Sequence, residues 1–203
     1  MNQQTINRHL DRLAKNDPEL RRGLAQVGYP PPRIRPPGFE TLLSTIVSQQ
    51  ISTAAAAAIM QRLHALLPNM APAALLDLPR GALRAAGLSS PKVAYAEDLA
   101  RAVIDGRVAI DRFDDMEDAA VVEAITSLKG FGTWSAEIYL MFSLRREDVF
   151  PAGDLALRSA LQRLRGLNEK LSEKRARELI ADWSPYRSAG SLFLWHFYHG
   201  TPL

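Results

Sequence analysis

Apolar residues along this chain recur mainly three and four positions apart, and no stretch of useful length alternates apolar with polar. The pattern predicts helices and no strand. Residues 3–27 read as one or two helices broken near Pro18. They are followed by "GYPPPRIRPPG", whose five prolines remove backbone donors and predict a rigid extended strap between two lobes. Residues 39–47 read as a helix, then "SQQIS", then an alanine-rich helix over 53–67. Five consecutive alanines favour helix and permit close approach of neighbours, so this helix is expected to be central. Shorter helices are expected over 72–78, 80–86 and 91–104, with Gly87 and Gly106 at C-terminal positions and Ser90-Pro91 as a start signal. Residues 117–127, 155–164, 172–183 and 186–199 complete an all-α chain of about ten helices.

Composition narrows the chemistry. With 203 residues, 47% of them hydrophobic, the chain can bury a proper core. The net charge of +3 and a pI near 9.4 are compatible with a polyanionic partner without requiring one. The absence of cysteine excludes disulfides, thiol nucleophiles, iron–sulfur clusters and thiolate zinc sites. The four histidines, His9, His64, His196 and His199, do not fall at metal-ligand spacing. The N-terminus is polar and no apolar run reaches membrane-spanning length, so a soluble cytoplasmic monomer with no membrane contact is expected.

The segment "SLKGFGTWSAEIYLMF", residues 127–142, places two glycines at the mouth of a helix. Gly130 and Gly132 can take positive φ or let another backbone come close. Thr133 and Ser135 stand where the first helical N–H groups lack internal partners and the helix dipole favours an anion, a suitable place for a phosphate. An ordinary corner between two helices explains a bare Gly-x-Gly equally well. Further on, "FPAGDLALRSAL" opens a helix with Asp154, which by itself reads as an N-cap.

Leu-x-Gly-x-Gly-x-Trp-x-Ala resembles the helix-hairpin-helix DNA-binding element, which offers backbone amides to phosphates without reading sequence. In order and spacing, the hairpin of residues 128–133, its helix, and "PAGD" together resemble the helix-hairpin-helix, Gly/Pro-rich, aspartate (HhH-GPD) superfamily of base-excision DNA glycosylases. The resemblance implies a two-lobed helical fold. One lobe would comprise about 39–145 and the other about 1–38 plus 146–203, with the active-site cleft between them. It implies phosphate contacts by Lys129, Gly130, Gly132, Thr133 and Ser135. It also implies that the main-chain carbonyls of Thr126, Leu128 and Phe131 can hold a structural Na⁺ or K⁺ when DNA is bound, with no other cofactor.

Two features choose a branch. Bifunctional members carry a nucleophilic lysine where this chain has Trp134, and without that amine no Schiff base forms, so a monofunctional enzyme is expected. The missing cysteines exclude the cluster-bearing branches. "FETLLSTIVSQQISTAAAAAI" and "WSPYRSAGSLFLWHF" resemble segments of the alkylpurine branch, DNA-3-methyladenine glycosylase II of the AlkA type, in a compact form without the N-terminal β-rich domain. The resemblance then assigns Asp154 as the catalytic carboxylate. Trp134, Trp195, Ile138 and His196 fall at base-pocket positions, and Gln50, with Gln49 and Ile51 beside it, forms the wedge that fills the gap left by a flipped base. The implied partner is double-stranded DNA containing alkylated bases. Two alternatives stand beside this reading: a glycosylase for hypoxanthine or an oxidised purine, and a helix-hairpin-helix module that binds DNA without catalysis.

Overall fold

The computed structural model describes Met1 to Gly200 and divides into two compact units, one of residues 1–34 with 140–203 and one of residues 35–139. Among the described residues there are twelve α-helices, two 3-10 segments and no strand. No helix among them is long and apolar enough to cross a membrane.

The first unit begins with α1 (Gln3–Asn16) and α2 (Pro18–Val27). Asp17 ends one helix and starts the next: its carboxylate accepts from Leu20 N–H at 2.8 Å while Pro18 takes the first helical position, where its missing donor costs nothing. After the second unit the chain returns through α10 (Leu155–Leu164), α11 (Glu173–Leu179) and α12 (Arg187–Gly200). Ile6, Leu10, Leu20, Leu157, Leu161, Phe193 and Leu194 are essentially inaccessible to solvent and form the core where α1, α2, α10 and α12 pack together. The helix expected over 172–183 is instead two pieces. It breaks at Ile180, and the 3-10 turn Ala181–Trp183 swings the indole so that Nε1–H donates to Asp17 Oδ2 at 2.8 Å.

The second unit holds α3 (Phe39–Ser48), α4 (Thr53–Leu66), α5 (Pro72–Asp77), α6 (Arg80–Ala85), α7 (Ser90–Ile104), α8 (Asp118–Thr126) and the first seven residues of α9 (Thr133–Phe142). The centre is α7, which packs against α3, α5 and α6 and buries Val93, Ala96, Leu99, Ala100 and Ala102. The expectation that the alanine-rich helix is central is corrected. Only Ala56, Ile59 and Leu63 of α4 are buried, because five alanines in a row supply helix propensity but little apolar area, leaving one narrow stripe against α3. A 3-10 segment, Ile110–Asp115, was not legible from periodicity; it buries Phe113, whose ring meets Tyr139 edge-on at 5.8 Å.

Two features tie this framework, one polar and one steric. Arg165 reaches Asp17 through both guanidinium ends, at 2.7 and 2.9 Å, and Glu19 at 2.5 Å. Burial alone would raise the Asp17 carboxyl, but Arg165, the Leu20 N–H and the Trp183 indole N–H outweigh it and hold the group below the usual carboxylate range. The second feature is Gly130, at φ +84° in the turn after α8, where an added Cβ would lie 2.4 Å from the Tyr95 ring.

Because the folded-state pKa of Asp17 is depressed, its stabilisation is complete above the unfolded value and is lost as pH falls through the folded one. Asp17→Asn is therefore expected to cost about 2 to 3 kcal/mol at pH 7, with the two melting curves converging below about pH 4; denaturant melts across pH check this. Gly130→Ala combines a left-handed backbone with a ring collision and is expected to cost about 1 to 3 kcal/mol, whereas Gly132→Ala should melt within about 2 °C of the parent protein.

Candidate nucleic-acid interface and active site

The hairpin is built from contacts inside the second unit. Leu128 and Phe131 are buried and anchor the turn, closed by Phe131 N–H donating to Leu128 O at 3.2 Å. Lys129 N–H donates to Asp98 Oδ2 at 3.0 Å, which leaves the exposed Lys129 side chain as that residue's means of meeting an anion. The two glycines do different work. Gly130 is required by the fold, since its backbone lies against Tyr95. Gly132 has an ordinary φ and nothing within 4 Å of where its Cβ would be, so its backbone is bare to solvent. With exposed Thr133 at the first position of α9, Gly132 leaves a helix start open to a phosphate. Ser135 differs from expectation: it is buried, and its N–H donates to Gly132 O at 3.0 Å, so its amide is committed within the helix.

The carbonyls of Thr126, Leu128 and Phe131 lie at the end of α8 and in the turn. That of Leu128 accepts from Phe131 N–H, and a carbonyl oxygen keeps a second lone pair. Main-chain oxygens of this kind suit a hard monovalent cation. Among the described residues no cluster of His, Cys, Asp or Glu could hold a metal ion.

The "SQQIS" turn follows α3. Gln50 is exposed in a left-handed conformation, φ +57°, which projects the tip of the turn outward, and Ile51 beside it is 39% exposed. Gln49 does not project with them. Its Nε2 donates to Gly130 O at 2.8 Å, so the residue grouped with the wedge is a tie between the wedge turn and the hairpin. On α9, Trp134 and Ile138 are four residues apart and share a face. Trp134 is 42% exposed, whereas Ile138 is buried.

In the first unit, Asp154 is the N-cap of α10, with Oδ1 accepting from Leu157 N–H at 3.0 Å. The cap fixes the side chain in one orientation on a half-buried residue. The turn that carries it is tightly braced. Ala152 N–H donates to Phe150 O and Asp154 N–H to Pro151 O, while Arg158 donates to Ala152 O at 2.5 Å and Arg177 to Phe150 O at 3.0 Å. Upstream, Asp148 receives Arg187 through Nε and Nη2, both at 2.6 Å, and Ser188 Oγ accepts from Val149 N–H at 3.0 Å. Burial opposes the charge on Asp148, but Arg187 and Ser184 overcome it and hold the carboxyl below its ordinary range. "WSPYRS" is therefore largely a brace: Trp183 secures Asp17, and Arg187 and Ser188 secure the strand of chain that leads to Asp154. Sequence reasoning missed Arg158, Arg177 and Asp148; of these only Arg158, four residues past Asp154 and so one helical turn on, carried a local signal.

Trp195 is buried, with its ring 5.7 Å from Phe142 and the Arg33 guanidinium 5.5 Å above it. His196 Nε2 lies 2.8 Å from Val27 O, so that nitrogen carries the proton and donates to the carbonyl, and only Nδ1 remains for another partner. Tyr139, Phe142, Phe193 and Phe197 are all buried, as aromatics at helical spacing usually are.

Comparison with known proteins agrees with these features. The sequence pattern of the HhH-GPD superfamily of base excision DNA repair proteins matches residues 43–185. DNA-3-methyladenine glycosylase 1 of Schizosaccharomyces pombe is 32% identical over 164 residues, covering 77% of this chain and 71% of its own. A solved DNA-3-methyladenine glycosidase from Bacillus halodurans superposes with a TM-score of 0.75 at 35% identity, covering 81% of this chain and 76% of that one. A Schizosaccharomyces pombe 3-methyladenine DNA glycosylase, solved in complex with abasic DNA, superposes at 0.76 and 28% identity, covering 87% and 89%. With the family's pattern spanning well over half of the chain, and the hairpin and the aspartate both inside it, this protein belongs to the HhH-GPD superfamily of base excision DNA repair proteins.

Proposed function

We propose that this protein is a monofunctional DNA glycosylase that flips alkylated purines of the 3-methyladenine and 7-methylguanine type out of duplex DNA and hydrolyses their N-glycosidic bond, leaving an abasic site. The observation that carries the reading is Asp154, a carboxylate held in one orientation by Leu157 N–H on a turn braced by two arginines. Such rigidity is what electrostatic stabilisation requires, because a fixed charge needs no reorganisation as positive charge develops in the transition state.

The steps follow from the residues. Gly132 and Thr133 offer a bare helix start to a backbone phosphate, with the Lys129 ammonium adding charge. A cation on the Thr126, Leu128 and Phe131 carbonyls would add positive charge beside that phosphate. Extruding a base costs roughly a few kcal/mol, least where damage has weakened pairing, and Gln50 with Ile51 fills the gap. Alkylation at N3 or N7 makes the purine cationic and a good leaving group. The half-exposed Trp134 face is the platform on which such a base stacks, by cation–π attraction of about 0.5 to 2 kcal/mol. Ile138 and Trp195, each buried in its own unit, offer apolar surface rather than an open platform, and His196 has Nδ1 left to meet a base. Asp154 stabilises the oxocarbenium-like sugar and directs water to it. With an indole at position 134 there is no amine to trap the sugar as a Schiff base, so the strand stays intact. The relatives' names and the DNA complex support this assignment, and the proposed place of action is chromosomal DNA in the cytoplasm.

Methylated duplex DNA, incubated with enzyme and analysed for free bases, tests the reading. The parent protein is expected to release 3-methyladenine or 7-methylguanine, with nicks appearing only after hot alkali. Asp154→Asn should lower single-turnover release by about 10²- to 10³-fold while binding abasic duplex within about threefold of the parent. Release of hypoxanthine alone would move the substrate class, and release of no base would leave a DNA-binding module. Gly132→Val should keep excision chemistry at saturating enzyme but weaken duplex binding about tenfold, with the salt dependence reduced by about one phosphate contact.

A further inference from the structure

One side of α7 carries three contacts that the glycosylase chemistry does not use. Lys92 Nζ donates to Val47 O and to Gln49 O, both at 2.7 Å, and so caps the C-terminal end of α3 and grips the start of the wedge turn. Three residues on, the Tyr95 ring lies against Gly130, and three further on, Asp98 Oδ2 accepts from Lys129 N–H at 3.0 Å. Gln49 Nε2 closes the circuit by donating to Gly130 O at 2.8 Å. The first residue after Gln49 is Gln50, the left-handed tip.

We infer that α7 is the spacer of a base-flipping device, and that Lys92 is a positioning residue which holds the Gln50–Ile51 wedge at a set distance from the phosphate-binding hairpin. The inference rests on the proposed wedge and hairpin roles and goes beyond them. Tyr95 and Asp98 seat the hairpin on α7, while Lys92 seats the wedge turn on the same helix three and six residues earlier. A phosphate gripped at Gly132 and Thr133 then sets the depth to which Gln50 enters the stack. A wedge turn freed from Lys92 would still approach DNA, but it would follow the hairpin loosely and leave the base stacked for more of the bound lifetime. Lys92 suits the place because one ammonium donates to two carbonyls two residues apart, and partial burial pushes its pKa down from the usual lysine range.

The test separates grip from insertion. A duplex carrying a tetrahydrofuran abasic site beside 2-aminopurine reports insertion without any chemistry, since a side chain driven into the stack unstacks the fluorophore. Lys92→Met is expected to bind this duplex within about threefold of the parent protein yet lose most of the fluorescence rise. Its release of 7-methylguanine should fall about tenfold or more from duplex but less than about threefold from the same methylated strand single-stranded, where no wedge is needed. Asp98→Ala, on a partly exposed residue of the same side, should show the same pattern and serves should Lys92→Met fail to fold. A folded variant with an unchanged fluorescence rise, or with equal losses on duplex and single strand, overturns the inference, as does a parent protein that produces no rise. If the parent produces the rise but releases no base, the glycosylase reading fails and the spacer stands.

Discussion

The second unit depends on the packing of one peptide against one ring. Gly130 lies so close to Tyr95 that no side chain fits, and the contact brings the hairpin down onto α7, the helix at the centre of that unit. Once there, Gly130 O is at hand for Gln49 and Lys129 N–H for Asp98, so two polar contacts follow from one steric permission. A residue with a Cβ would lift the turn and break both bonds together, since neither partner is long enough to follow. The neighbouring glycine has no such task inside the protein. Nothing lies within 4 Å of where a Cβ of Gly132 would be, and what its missing side chain leaves open is the approach from outside. A Gly-x-Gly pair thus joins one glycine that the fold requires to one that it does not.

In the first unit, capping and chemistry converge at Asp154. An N-cap is often taken as the bland explanation for an aspartate at a helix start, and here the cap is real. It also supplies the property that a catalytic carboxylate needs, because a side chain bonded to Leu157 N–H cannot drift as charge develops nearby. The arginines on Phe150 O and Ala152 O extend the constraint to the backbone. Arg187 and Ser188 extend it again to the approaching chain, so the "WSPYRS" segment braces the turn that carries Asp154.

Much of the fold was legible. Pro18, Pro72 and Pro91 mark helix starts within a residue of where the observed helices begin, because a residue that cannot donate acts locally. Position within the unit was not legible. Alanine's helix propensity is an intrinsic backbone property, whereas centrality depends on apolar area, and α4 has the first without the second. The site divides in the same way. Asp154, the two glycines and Gln50 could be named because family-like spacing marks them, but the residues that hold them could not. Lys92 meets carbonyls 43 and 45 positions away, Arg187 meets an acid 39 away, and Arg165 meets Asp17 across 148 residues. Nothing in local composition announces such pairings, and each one works only because helices already fixed by their apolar faces bring the partners within reach.

The identity of residue 134 bears on why so much of this chain is given to bracing. An enzyme that captures the sugar with an amine gains a covalent intermediate, and a bond tolerates some looseness in the groups around it. With an indole at that place the reaction has only electrostatics and proximity to rely on, and both fall steeply with misplacement of even an ångström. A cationic leaving group reduces the need for acid catalysis but does nothing to position the carboxylate or the water. On the proposed roles of Asp154 and Gln50, the buttressed turn beneath the one and the tethered turn that carries the other answer one physical demand: where no covalent step forgives an error in placement, the placing must be done by the fold.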